Sequence, residues 1–212
     1  RRGLWKKGKE CMSSQLIKDN NIVDDDWQQI MPPEAEIEIK KQAGKVVIFK
    51  LTGEDSLTSE QIEKTTIPKE GKLLLPVKVF LHHQNNLKSR ISNQEIGIWI
   101  ETHEEIDSFI NQIEDLDNLP CIAVSTKKFA DGRIFSLGNL LRMKYKYKNE
   151  LRAIGDVLRD QLFFLKRSGF NSFLIRKDKD AKDALLGLND FTTPYQGAVD
   201  QTKPAWKIIN RN

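Results

Sequence analysis

Residues suited to binding a small anion are concentrated in the second half of the chain. Asp131-Gly132-Arg133 has the form of a turn, and Lys127, Lys128 and Ser136 lie near it. Together with the start of a following helix, these residues would offer several hydrogen-bond donors to an oxyanion. The structural alternative is a tight turn in which Arg133 pairs with a carboxylate, since Asp-Gly turns are common in loops that bind nothing.

Arg152 is a second candidate, because it lies inside an apolar run typical of a strand. A charge in such a place is unfavourable unless it is paired or faces a cavity. Asp131, Asp156 and Asp160 are the expected partners. A guanidinium binds carboxylates and oxyanions with the same geometry, so a structural salt bridge and an anion site both remain open.

Asp156 and Asp160 are spaced to share one face of a helix. Two carboxylates so placed could form an acid–base pair or hold a metal ion. No histidine stands at a suitable spacing to join them, so the sequence favours a helix-capping role for Asp156 and a surface or arginine-paired Asp160. The three histidines form no zinc or catalytic-triad pattern, and we expect no metal site.

The motifs of a redox enzyme are missing from the sequence. It contains neither the glycine-rich dinucleotide fingerprint nor a phosphate-binding Walker loop. Its two cysteines, Cys11 and Cys121, are too few for an iron–sulfur cluster and do not form a Cys-x-x-Cys pair. Cys121 lies in an apolar run and is expected to be a small core residue. No cofactor is evident.

A basic segment suggests a surface for a protein partner. Lys144, Lys146 and Lys148 alternate with tyrosines. In an extended segment the three lysines would lie on one side, where they could meet an acidic partner such as a ferredoxin. The alternative is an ordinary solvated face.

The elements that position these residues follow from short apolar runs alternating with longer amphipathic ones. Strands are expected over 73–76, 96–100, 121–124, 151–154 and 172–175, and helices over 79–87, 104–116, 135–145, 156–168 and 180–188. This alternation predicts an α/β fold with a mostly parallel sheet of about five βα units, arranged as an open sheet or a partial barrel. Ligands of such folds bind at the carboxyl ends of the strands, here in the loops 125–136, 155–156, 176–180 and 192–196.

The front of the chain is less regular. A short hairpin is expected around Asn20-Asn21, with Trp27 as an anchor on the body of the protein. We expect a single domain, in which a small β-containing N-terminal arm with an insertion, residues 12–71, precedes an α/β region, residues 72–212. Residues 1–11 lack the features of a secretory signal. Gly8-Lys9-Glu10 back-translates to a ribosome-binding site before Met12, so residues 1–11 are expected to be a non-native upstream extension.

Charge and hydropathy limit the classes of function. The formal charge is +4, and residues 1–11, with five basic residues and one acidic, account for all of it. A neutral remainder argues against nucleic-acid binding, which depends on clustered basic residues. No apolar run approaches the roughly 18 residues of a membrane span, so a cytoplasmic protein without a membrane partner is expected.

The block from Phe129 to Gln196 resembles a known family. Phe129-Ala-Asp-Gly-Arg133, Leu151-Arg-Ala-Ile-Gly-Asp156, Arg159-Asp-Gln161 and Ser168-Gly-Phe170 follow one another closely. They resemble a bacterial domain family of unknown function whose members are labelled as oxidoreductases of sulfite reduction, and whose genes commonly lie beside the gene for sulfite reductase. Four of the candidate residues named above belong to that pattern, namely Asp131, Arg133, Arg152 and Asp156. Gln161 also belongs to it and is a further candidate.

The resemblance implies an accessory protein of assimilatory sulfate and sulfite reduction, acting with sulfite reductase or its electron donor through a protein surface. The competing expectation is an enzyme or sensor of sulfur metabolism that binds a small oxyanion or a phosphorylated metabolite through Arg133 and Arg152. Whether the chain is itself an enzyme stays open at this point.

Overall fold

A computed structural model of the protein describes residues 15–33, 41–42, 45–46 and 56–208. The expected upstream extension, residues 1–11, and parts of the expected arm lie outside the described residues. The strands are β1 (Leu16–Lys18), β2 (Asn21–Val23), β3 (Trp27–Gln29), β4 (Lys41–Gln42), β5 (Lys45–Val46), β6 (Lys72–Pro76), β7 (Ile96–Glu101), β8 (Cys121–Thr126), β9 (Glu150–Gly155) and β10 (Ser172–Leu174). The helices are α1 (Ser59–Lys64), α2 (Val77–His83), α3 (Lys88–Ser92), α4 (Ile106–Ile110), α5 (Arg133–Met143), α6 (Arg159–Arg167), α7 (Ala181–Leu186) and α8 (Ala205–Ile208).

Eight of the strands form one sheet in the order β2-β1-β10-β9-β8-β7-β6-β3. The strands from β10 to β3 in that order are parallel, and β1 and β2 join antiparallel at one edge. Strands β6 to β10 are each followed by at least one helix. The predicted α/β fold with a mostly parallel sheet of about five βα units is therefore confirmed.

The two faces of the sheet are covered differently. Alternate strand residues such as Leu75, Ile98 and Ile122 join helix residues in the large core, so the helices lie on this face. The opposite face has a smaller cluster with Trp99 at its centre, made of Leu74, Trp99, Cys121, Ala123 and Ile154. Trp27 packs against this cluster, which confirms its expected role as an anchor.

The N-terminal strands extend both edges of the sheet. The predicted hairpin is confirmed as β1 and β2, with its turn at Asp19-Asn20 rather than at Asn20-Asn21. Both turn residues have positive φ, 47° and 63°, the backbone twist that suits a two-residue hairpin. The chain then crosses from β2, at one edge, to β3, at the other edge, through three aspartates.

This crossing shows that the sheet curls into a partial barrel. The Cα–Cα steps from Val23 to Trp27 reach at most about 15 Å, so the two edges lie close together. A cavity of about 480 Å³, the amino-end cavity, is lined by Val23 of one edge and Trp27 of the other. Between the two arrangements left open by the sequence, the structure therefore has the curled one.

Helix α6 begins three residues later than predicted. Gly155 has a φ of +96°, and a Cβ atom there would lie 2.1 Å from the Thr126 carbonyl oxygen. The chain therefore turns sharply after β9, and Leu158 is the N-cap residue of α6. The prediction that Asp156 caps this helix is wrong, as is the prediction that Asp156 and Asp160 share a helical face. No helix in the described part of the chain is long and apolar enough to cross a bilayer.

Candidate functional site: a crevice at the carboxyl ends of the strands

A crevice of about 440 Å³ lies at the carboxyl ends of the central strands, and we call it the carboxyl-end crevice. Its lining comes from the ends of β7, β8 and β9 and from the segments that follow β3 and β10. The indole nitrogen of Trp99 in the crevice donates to the Ile30 carbonyl at 3.1 Å, which fixes the segment after β3. In parallel α/β folds this end of the sheet is where ligands bind.

The loop between β8 and α5, residues 127–132, borders the crevice, and we call it the Phe129 loop. Its central residue is held through its main chain on both sides. The Phe129 N–H donates to Asp156 Oδ2 at 2.9 Å, and Gln161 Nε2 donates to the Phe129 carbonyl at 2.9 Å. The Thr126 hydroxyl donates to the Lys128 carbonyl at 2.8 Å. Asp156 in the β9–α6 connection, Gln161 on α6 and Thr126 at the end of β8 thus fix the shape of this loop.

Asp131 holds the other end of the Phe129 loop. It accepts hydrogen bonds from Arg133 Nε and Nη2, both at 2.9 Å, and from the Thr102 hydroxyl. These bonds, those from Arg133 above all, hold the pKa of the Asp131 carboxyl well below its usual range. The contacts match the structural alternative of the sequence analysis, a turn in which Arg133 pairs with a carboxylate.

The remaining predicted residues near this loop are exposed. Lys128 lies in the Phe129 loop, Ser136 on α5 and Asp160 on α6. The carboxyl-end crevice is lined by none of them. Gln161, in contrast, is buried at the start of α6, and its Oε1 accepts from the Leu158 N–H at 3.2 Å. Four of the predicted residues therefore take part in the hydrogen bonds that hold the Phe129 loop, namely Asp131, Arg133, Asp156 and Gln161.

The charged residues that line the crevice are Glu101, Lys127, Asp156 and Arg176, and neither Glu101 nor Arg176 was among the predicted site residues. Glu101 Oε2 lies 2.7 Å from Lys127 Nζ and 3.1 Å from His103 Nδ1. Across the crevice, Arg176 donates to Asp156 at 2.7 Å and to Asp178 at 2.6 Å. Glu101 ends a strand, so the rule that ligands bind at carboxyl ends would have found it.

Arg152 belongs to a different network, and its predicted partners are wrong. The side chain is 1% exposed and lies 2.7 Å from both Asp25 and Glu150. Lys18 also donates to Glu150, at 2.6 Å. The predicted partners lie close to it in sequence, whereas Asp25 reaches it from the crossing between the sheet edges. Arg152 therefore lines the amino-end cavity and not the carboxyl-end crevice.

Burial and charge oppose each other in this network. Burial works to raise the pKa of Glu150, but the charge of Arg152 and the hydrogen bond from Lys18 outweigh it, and the pKa lies below its usual value. Burial likewise works to lower the pKa of Arg152, and neighbouring groups, the two carboxylates among them, raise it. The side chains of Glu150 and Arg152 are thus both held in their charged forms, as a buried ion pair requires.

The basic segment lies at the amino end of β9, and we call residues 144–148 the lysine turn. It is not extended as predicted, because Lys144, the C-cap residue of α5, has helical backbone angles and Lys146 has a φ of 57°. Its three lysines are nevertheless all exposed, while Tyr147 between them is 1% exposed. The Tyr147 hydroxyl lies 2.8 Å from the Leu119 carbonyl, to which it donates. Lys144 pairs with Asp107 at 2.6 Å.

Cys121 is buried in the cluster around Trp99, which confirms its expected role as a core residue. Its burial raises the pKa of the thiol far above its usual value. Within the described residues, no group of three or more His, Cys, Asp or Glu side chains is placed to hold a metal ion.

The sequence model of a family described as bacterial proteins of unknown function, DUF934, matches residues 97–206. This match covers more than half of the chain. The chain belongs to the DUF934 family. No curated protein and no solved structure matches the chain significantly.

The region matched by the DUF934 family contains both the Phe129 loop and the lysine turn. It also contains the four charged residues that line the carboxyl-end crevice, namely Glu101, Lys127, Asp156 and Arg176. Strands β1 to β3, which close the partial barrel, precede it. Arg152 lies inside the matched region, but its partner Asp25 lies outside.

Proposed function

We propose that the protein is a cytoplasmic accessory protein of assimilatory sulfite reduction, which binds an acidic surface of sulfite reductase or of its electron donor. The link to sulfite reduction rests on the family resemblance of the Phe129 to Gln196 block. The proposed mode of action rests on one observation. The lysine turn exposes basic side chains, and its main chain is held in place by hydrogen bonds.

The rigidity comes from Arg142 on α5. Its Nη1 donates to the carbonyls of Tyr147, at 2.6 Å, and Asn149, at 2.9 Å, and its Nε donates to the Gly169 carbonyl at 2.8 Å. One half-buried guanidinium therefore ties the lysine turn to the connection between α6 and β10. A surface that is already ordered loses less conformational entropy when a partner binds.

The free lysines supply the charge. Within the described residues, the side chains of Lys146 and Lys148 make no hydrogen bond or ion pair, whereas Lys144 is engaged with Asp107. Two unengaged ammonium groups beside a fixed turn favour an acidic partner, mainly by accelerating encounter and orienting the complex. Binding through them is expected to weaken as the salt concentration rises.

The alternative of a small-oxyanion or phosphometabolite site built from Arg133 and Arg152 receives less support. Arg133 is engaged by Asp131 at the Phe129 loop, and Arg152 is engaged by Glu150 and Asp25 in the amino-end cavity. The two guanidinium groups lie in separate networks, so one ligand would have to break both.

Co-purification tests the docking proposal. Tagged protein is recovered from its native host, and the sulfite reductase subunits are quantified in the eluate by mass spectrometry. The double variant Lys146→Glu/Lys148→Glu is expected to lose most of the reductase signal, because both favourable charges become repulsive. The matched control Lys182→Glu/Lys203→Glu reverses two exposed lysines on other segments and is expected to keep it. Equal recovery with both variants would contradict the proposal.

A further inference from the structure

The carboxyl-end crevice contains charged residues that are not part of the proposed docking surface at the lysine turn. Glu101 stands at the end of β7, and Asp156 follows β9, two strands away across the sheet. Strands lie about 4.8 Å apart, so these two walls of the crevice are separated by about 10 Å. Each wall carries one carboxylate that is paired with one cation.

The carboxylates are fixed, and the cations are more exposed. The side chains of Glu101 and Asp156 are 18% and 24% exposed, and Asp156 is tied to the Phe129 N–H. The side chains of Lys127 and Arg176 are 68% and 39% exposed. Exposed ion pairs contribute little stability, so these long cationic side chains can change partner when a ligand enters.

The balance of charge decides which ligands fit. Of the residues that line the crevice, Glu101 and Asp156 supply two negative charges, and Lys127 and Arg176 supply two positive charges. A simple anion would therefore enter a site whose lining charges already cancel, and it would leave the site with a net negative charge. A ligand that brings an ammonium group together with its carboxylate adds no net charge and finds a partner on each wall.

The floor of the crevice leaves room for such a ligand. Gly155 is exposed and has no side chain, and its position against the Thr126 carbonyl admits none. The buried Trp99 lies beside it as part of the crevice lining. A mostly preformed cleft with a few convergent polar groups is the usual form of a small-molecule site.

We infer that the carboxyl-end crevice binds a free amino acid as a zwitterion. Its ammonium group lies against Glu101, where it displaces Lys127, and its carboxylate lies against Arg176. Lys127 is therefore a competitor of the ligand and not a contact to it. This role separates the site from an anion site, in which Lys127 would be a direct contact.

Thermal unfolding tests the inference with a defined probe, an equimolar mixture of the twenty L-amino acids at millimolar concentration. A component present at a hundred times its Kd raises the Tm by about 5 to 10 °C. The shift is expected to disappear in Glu101→Gln and to persist in Lys128→Met, which alters an exposed lysine outside the crevice. Acetate and methylammonium, given separately or together, are expected to produce no shift.

The variant Lys127→Met gives the decisive comparison. By removing the competing ammonium, it is expected to tighten amino-acid binding by up to about fivefold, the upper value for an exposed ion pair. Calorimetric titration with the component that gives the shift measures this change. The inference is overturned if the mixture gives no shift, or if sulfite, sulfate or phosphate stabilises the protein and Lys127→Met abolishes that effect.

Discussion

The two ends of the partial barrel both carry ion pairs, but the pairs differ in burial and in what they connect. At the amino end, Arg152 is almost fully buried and joins Glu150 to Asp25, which belongs to the crossing between the sheet edges. At the carboxyl end, Glu101 and Asp156 are paired with cations that remain partly exposed. The first network closes the fold, whereas the second leaves groups that a ligand can engage.

This difference shows why residue type alone did not locate the site. Arginine and aspartate appear at both ends, and the sequence pattern favours Arg152 because its strand is apolar. A buried ion pair is strongly coupled to the fold, since removal of one partner leaves a charge without compensation. A half-exposed pair contributes little stability, and its members are correspondingly available for binding.

The largest predicted effect is at the amino end. Replacement of Arg152 by Ala leaves Glu150 and Asp25 without their buried partner and is expected to lower the free energy of unfolding by about 3 to 5 kcal/mol. Urea denaturation followed by circular dichroism measures the change. The matched variant Arg159→Ala removes a half-exposed arginine with ion pairs at 3.4 and 3.5 Å and is expected to change stability by at most about 1 kcal/mol. Similar losses in both variants would remove the distinction between the two kinds of pair.

A second prediction concerns the turn that positions Asp156. Gly155→Ala places a methyl group against the Thr126 carbonyl in a left-handed backbone, and a loss of about 3 kcal/mol is expected. Gly71 also has a positive φ, +86°, but a Cβ there meets nothing within 4 Å. Gly71→Ala is therefore expected to lose only about 1 kcal/mol. If the two variants unfold at the same urea concentration, the close approach of Gly155 to the Thr126 carbonyl does not contribute to the loss of stability.

A third prediction concerns the bracing of the Phe129 loop. Gln161→Leu leaves the Phe129 carbonyl and the Leu158 N–H without their partner, so a loss of about 1 to 2 kcal/mol is expected. Amide hydrogen exchange at Phe129 should accelerate more than exchange in β7. Gln112→Leu, which removes one exposed bond to the Ser108 carbonyl, serves as the control and is expected to stay within about 0.5 kcal/mol. Unchanged exchange at Phe129 in Gln161→Leu would show that the loop does not depend on this residue.

The smallest predicted effect is a pH dependence at the carboxyl end. The pKa of Asp131 is lowered in the folded protein, chiefly by its hydrogen bonds to Arg133, so its stabilising contribution is present above the ordinary value of 3.8. That contribution is lost as the pH falls through the folded pKa. Asp131→Asn is therefore expected to be less stable than the parent at pH 7 and to approach it below about pH 3. Unfolding curves at several pH values measure this, and a difference that does not vary with pH would contradict it.

Local patterns in the sequence were enough for most of the fold. The apolar runs at residues 73–76, 121–124 and 151–154 each became a strand within two residues of its predicted bounds. The hairpin of β1 and β2 was likewise indicated by its asparagines. These features depend on side-chain periodicity and turn chemistry, which act over a few residues.

The closure of the barrel and the crevice depended on longer-range contacts. Asp25 and Arg152 are 127 residues apart in sequence, and nothing in their local patterns indicates that they meet. The turn at Gly155 moved Asp156 out of the expected helix, because a glycine with positive φ allows a close approach that periodicity does not show. Arg133 and Arg152 consequently pair with different carboxylates, Arg133 with Asp131 and Arg152 with Asp25 and Glu150.

The proposed function is tested most directly by growth of a deletion strain on sulfate, sulfite, sulfide or cysteine as the sole sulfur source. We predict growth on sulfide and cysteine only, restored on all four sources by the parent gene and by Lys182→Glu/Lys203→Glu but not by Lys146→Glu/Lys148→Glu. Growth of the deletion strain on all four sources, or full restoration by the lysine-turn variant, would contradict the account.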